Sequence, residues 1–219
     1  GQQVASGTYG ATSTQNGGVP RIAMGDYTNR NSQGFTGYIS NLRLSNSTRY
    51  TGSFTRPDKP FVDDANTTLL CLNNYRWTDG SSNNSIFDFP YGSPQVNPMN
   101  PFMEPTIDYD PDVHGSSWYL RNNHANATQF TPNTEKCWFV ENIDTQIEPE
   151  TADYTMECWL YHEGNNWSSD SIVKGGRPGF HTNGTGGNLT VSATDVPEHH
   201  CHPFTWNHLV VQKEQYAPA

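Results

Sequence analysis

The chain has 219 residues, enough for one or two domains with a sizeable buried core. Its 22 Asp and Glu against 12 Lys and Arg give a formal charge of −10 with no Lys/Arg-rich window, which argues against nucleic acid or an anionic membrane as partner. Hydrophobic residues are only 33 % and no apolar run approaches a bilayer span, while 12 % aromatic residues argue against disorder.

Along the chain, Val19-Pro20-Arg21-Ile22-Ala23-Met24-Gly25 reads as a short strand entering a Gly-Asp turn. Downstream, Phe35, Tyr38, Ile39, Leu42 and Leu44 interleave with Thr36, Ser40, Asn41, Arg43 and Ser45, close to period two from Ile39 onward. The simple expectation is two antiparallel strands joined by the polar loop Tyr27–Gln33. Gly52, Pro57 and Pro60 punctuate the exit, so a helix is not expected. Thr182–Cys201 is expected as a loop. Abundant Gly, Pro, Asn, Ser and Thr between these runs favour a loop-rich all-β sandwich.

Several runs resemble one family. Gly25, the strand Gly37-Tyr38-Ile39-Ser40-Asn41-Leu42-Arg43, then Arg49-Tyr50, Phe54, Pro57 and Pro60-Phe61 are similar to the closing strands of concanavalin A-like (laminin-G, jelly-roll) repeats of bacteriophage virion proteins. The likeness continues with the x-D-x-S-x-N turn at Asp79, Ser81 and Asn83, and with Asn100-Pro101-Phe102. His114-Gly115-Ser116-Ser117-Trp118-Tyr119, Asp153-Tyr154-Thr155-Met156-Glu157-Cys158-Trp159-Leu160-Tyr161 and Trp206-Asn207-His208-Leu209-Val210-Val211 complete it. The chain departs from the family pattern at Leu120–Asn126, and Thr182–Cys201 does not align with it.

The resemblance implies strands at Thr67–Leu72, Asp153–Tyr161 and Trp206–Val211 and a strand with its turn over Phe87–Gly92. These belong to an antiparallel β-sandwich assembled from parts of two tandem repeats: residues 1–62 as the tail of one and 63–219 as the front of the next, within a longer polypeptide. It also implies a non-catalytic structural role on the virion exterior, as a tail fibre, tail-associated or capsid-decorating protein. Partners would be other virion proteins and copies of itself, a trimer being one candidate, together with host-surface polysaccharide. Neither nucleic acid nor membrane insertion is expected. Two other classes remain: a secreted cell-surface or extracellular-filament glycoprotein, and a polysaccharide-degrading enzyme.

Each candidate site has a plain alternative. A retaining glycosidase needs two carboxylates about 5 Å apart, hence at alternate positions on one strand face. Glu157 has Thr155, Trp159 and Tyr161 at those positions, while Glu148, Glu150 and Asp153 have a suitable spacing broken by Pro149. In His199-His200-Cys201-His202 only His200 and His202 would converge on an extended chain, with His181 or His162 as a distant further ligand; a polar surface loop is the plain reading. Asp108, Asp110 and Asp112 alternate and could offer oxygens to calcium, the one cofactor considered, without the glycine and terminal glutamate of an EF-hand. Asp63-Asp64 is a weaker set, and solvated acids are the plain reading of both.

Trp167 with Asn165 and Asn166 is the glycan-binding candidate, because a pyranose stacks on an aromatic plane while amides bond its hydroxyls. Covering a sheet edge or a neighbouring subunit is the alternative. Cys71, Cys137, Cys158 and Cys201 lack C-x-x-C spacing; Cys71 and Cys158, on strands among apolar residues, read as buried free thiols, with one or two disulfides among the four as the alternative. Seven sequons begin at Asn46, Asn66, Asn83, Asn126, Asn166, Asn183 and Asn188. They are glycan sites in a secreted protein and a product of composition in a phage protein.

Overall fold

The computed structural model describes residues 21–22, 37–88, 95–103, 108–120, 138–141, 153–163, 171–174, 180–183, 188–191, 194–200 and 204–213. These are nearly all β. In chain order they form β1 (Arg21–Ile22), β2 (Gly37–Ser45), β3 (Thr67–Cys71), β4 (Ile86–Asp88), β5 (Gln95–Asn97), the helical turn α1 (Pro111–His114), β6 (Ser117–Leu120) and β7 (Trp138–Glu141). Then follow β8 (Tyr154–His162), β9 (Ser171–Lys174), β10 (Phe180–Asn183), β11 (Asn188–Val191), β12 (Thr194–His200) and β13 (Trp206–Lys213).

Two sheets result, with every pairing antiparallel. One runs β12-β11-β10-β9-β1-β7-β4; the other runs β13-β8-β2-β6-β5, with β3 also on β2. β2 is the organising strand of the second sheet. One edge pairs with β8, while its other edge is divided, Gly37–Ile39 pairing with β6 and Leu42–Ser45 with β3. Segments on either side of residue 62 therefore contribute to the same sheet.

The imperfect alternation of β2 has a local cause. Ile39 and Leu42 are three residues apart, yet both are fully buried in the main core. Asn41 lies between them at φ 52°, and the register against β8 slips by one residue between Ser40 and Arg43. This is a β-bulge, the extra residue restoring the same facing to side chains on both sides. Its backbone N–H donates to Leu72 O at 2.8 Å, and its Oδ1 accepts from Phe61 N at 2.8 Å. An asparagine tolerates the left-handed region better than most residues.

Alternation along β8 sends Met156, Cys158 and Leu160 to the main core and Thr155, Glu157 and Trp159 to the other face. The core also takes Ile22 from the seven-stranded sheet, with Phe87 of β4 packed against it and its ring 5.9 Å from that of Trp118. Cys71 and Cys158 are both buried in this core, and burial pushes the Cys71 thiol well up.

Two expectations change. β1 does not form a hairpin with β2: it pairs with β7 and β9, and Ile22 reaches the β2 side chains across the core instead. Fourteen residues separate the two strands, more than a tight hairpin uses. Thr182–Cys201 is not a loop either. Asn183 pairs with Asn188, and β10, β11 and β12 pair antiparallel in succession.

Candidate functional site

The densest polar cluster centres on Glu157, fully buried on the face of β8 opposite the main core. Register places Arg43 of β2 directly across from it, and Arg43 Nε and Nη2 both donate to Oε1, at 2.8 and 2.5 Å. Tyr50 Oη donates to Oε2 at 2.6 Å, and His208 Nε2 of β13 lies 3.3 Å from the same oxygen. Burial alone would push the Glu157 carboxyl up. The bond from His208, the charge of Arg43 and the bonds from Tyr50 and Arg43 outweigh it and hold the carboxyl below its ordinary value. Burial, then the charge of Glu157 and the bond to it, push the Tyr50 phenol well up, so Tyr50 remains a donor.

The chain after β2 roofs this cluster. Tyr50 exchanges bonds with Gln212 of β13, its N–H donating to Oε1 at 3.2 Å and its carbonyl accepting from Nε2. Arg49 donates to both Asp64 oxygens at 2.8 Å, and these bonds hold the Asp64 carboxyl well below its ordinary range. Phe54 stacks on Tyr50 with centroids 3.9 Å apart, and the Arg43 guanidinium lies 4.3 Å from the Phe61 centroid. Trp159 is buried among Phe61, Leu70, Phe102 and His208, with Arg56 over its ring at 5.1 Å. A carboxylate whose two oxygens are bonded and whose surroundings are aromatic is built to hold strands and roof together.

The turn after β3 is built on Asp79. Its Oδ1 accepts from Leu70 N at 3.0 Å and Ser81 N at 2.8 Å, and its Oδ2 from Ser85 N at 2.8 Å. Ser81 Oγ and Asn83 Nδ2 both donate to Thr68 O, at 3.3 and 2.8 Å. The D-x-S-x-N spacing is thus a set of acceptors and donors that satisfies buried backbone.

On the same face of the second sheet lies a row of aromatic rings. Tyr119 of β6, Tyr38 of β2, Tyr161 of β8 and Trp206 of β13 are register partners on successive strands. Successive centroids are 4.8, 5.8 and 5.6 Å apart. All four are half-buried, and Tyr119 Oη donates to the exposed Glu163 at 3.2 Å. Sequence reasoning missed this row because its members come from four separate strands, and only register aligns them.

Trp167, Asn165 and Asn166 lie outside the described residues, as do Glu148, Glu150, Cys137, Cys201 and His202. Asp108 and Asp110 are exposed; Asp110 opens α1, its carbonyl accepting from Val113 N and His114 N, and Asp112 lies within that turn. Asp64 is bound to Arg49 and caps its own turn through Asn66 N. His199 and His200 end β12 rather than occupying a loop, His181 is on β10, and His162 is buried on β8. Among the described residues no group of three or more His, Cys, Asp or Glu is placed to hold a metal ion. None of their helices is long and apolar enough to cross a membrane. Comparison of the chain with protein-family models, with curated proteins and with solved structures finds no match.

Proposed function

We propose that this chain is a non-catalytic structural module of a bacteriophage virion exterior, in a tail fibre, tail-associated or capsid-decorating protein. Its two sheets form a concanavalin A-like sandwich in this reading, drawing on two tandem laminin-G-like repeats. The observation that carries the proposal is the convergence on Glu157. Arg43, Tyr50, Phe54, Phe61, Glu157, Trp159 and His208 come from separate motifs of the resemblance, yet they pack around one buried carboxylate. Motifs that cooperate in space support a shared architecture, and a carboxylate engaged at both oxygens supports a holding role over general acid–base chemistry.

The module contributes to assembly of the particle surface and contacts host polysaccharide weakly, many copies raising avidity without any single tight site. The acidic balance keeps that surface soluble and sheds nucleic acid. Fold alone does not specify activity, so the glycan contact has to be found at particular residues.

The secreted-glycoprotein reading draws on the exposure of the sequon residues Asn46 and Asn66. Intact mass of the natively isolated polypeptide, with peptide mapping over the seven sequons, separates the two. An unmodified, much larger chain is expected; hexose-bearing peptides at the sequons would overturn the virion assignment.

A further inference from the structure

The row Tyr119, Tyr38, Tyr161 and Trp206 is not explained by packing alone. Neighbouring tryptophans that serve packing are sealed, Trp118 at 0 % and Trp159 at 2 % exposure. The four ladder rings instead stay half-buried, each retaining solvent contact on the sheet face. Adjacent strands lie about 4.8 Å apart, so four rings on four strands extend roughly 14 Å. Their planes are inclined by 42°, 82° and 60° in turn, which makes a corrugated surface rather than a flat apolar patch.

At one end the chemistry turns polar. Tyr119 donates to Glu163, and burial together with the charge of this carboxylate pushes the neighbouring Tyr38 phenol up. Phenol hydroxyls beside an exposed carboxylate present donors and acceptors at the rim of aromatic planes. That combination matches a sugar, whose C–H face stacks on a ring while its hydroxyls exchange hydrogen bonds at the edge. The carboxylate and the chain charge of −10 repel uronic acids and other anionic sugars.

We propose that Tyr119, Tyr38, Tyr161 and Trp206, with Glu163 at the tyrosine end, form a carbohydrate-binding platform for a neutral polysaccharide, covering about three pyranose units. The proposal rests on the glycan-contact reading above and gives it a location. A ligand lying across the strands meets one ring per strand, and Glu163 accepts from hydroxyls of the terminal unit.

The test is a printed array of neutral and uronate-bearing oligosaccharides, then calorimetric titration with the best-bound neutral hexasaccharide. Tyr161→Ala is expected to weaken binding about tenfold and Glu163→Gln about threefold, while Trp77→Ala, at an exposed tryptophan elsewhere, leaves it unchanged. Should Tyr161→Ala fail to fold, Glu163→Gln alters an exposed side chain and carries the test. Native affinity in both ladder variants would overturn the platform while leaving glycan contact standing. Binding confined to uronate-bearing sugars would overturn it as well. An array silent for the native protein would overturn the glycan-contact reading and the platform together.

Discussion

Arg43 and Glu157 face each other across β2 and β8, and both bonding nitrogens of the arginine fall on one carboxylate oxygen. That leaves Oε2 for Tyr50 and His208, so a single side chain ties β2, β8, β13 and the roof segment together. The arrangement costs desolvation of a carboxylate, which hydrogen bonds and one opposed charge must offset.

Glu157→Gln tests this offset. The substitution removes the negative charge, leaves a mostly buried guanidinium without its counter-charge and keeps the volume. Breaking such a pair costs roughly 3–5 kcal/mol. Urea denaturation should show a lower midpoint at unchanged slope; a midpoint equal to that of the native protein would contradict the holding role.

Acid sensitivity follows from the same group. Glu157 is held below its ordinary value of 4.5 in the folded chain, so around and below that pH the unfolded state binds protons first. Its contribution is present above about pH 4.5 and lost as pH falls through the folded value. Asp64 acts in the same sense, more weakly because it is partly exposed. Thermal midpoints should decline below pH 4.5 in the native protein and decline less steeply in Glu157→Gln; parallel declines would contradict the assignment.

Asp79→Asn separates the two oxygens of the turn. Asparagine can still accept from Leu70 N and Ser81 N through its carbonyl oxygen, but its amide then meets Ser85 N donor to donor. Loss of a buried backbone partner costs about 1–3 kcal/mol. Amide exchange at Ser85 should accelerate more than exchange at Leu70, and equal effects at both would contradict this geometry.

Gly115 and Gly52 form a matched pair for backbone effects. Gly115 has φ +68°, and an added Cβ would lie 2.8 Å from Asn73 O, whereas nothing lies within 4 Å of a Cβ at Gly52. Gly115→Ala should cost about 1–3 kcal/mol, and Gly52→Ala should stay within about 0.5 kcal/mol of the native protein. Differential scanning calorimetry of both variants reads the contrast directly.

Strands with one clear apolar period were legible in the sequence. β2 falls where alternation and turn residues put it, and β3, β8 and β13 fall where the family resemblance implied strands. Their sheet partners were not, since the bulge at Asn41 and the position of Ile22 depend on contacts between distant segments. The Thr182–Cys201 region shows the opposite failure. Its strands are short and rich in Thr, Asn and His, so local pattern suggested a loop where register across the sheet decides the outcome. For the site, each partner of Glu157 stood in a recognised motif, but their meeting required the fold. The tyrosine ladder had no local signal at all.

The central claim is that Glu157 holds the fold rather than performing chemistry. The direct measurement is reducing-end release from a panel of glucans by the native protein and by Glu157→Gln, each with its unfolding midpoint. The account predicts no release by either protein and a lower midpoint for the variant. Turnover by the native protein that disappears in Glu157→Gln, with the midpoint unchanged, would contradict it.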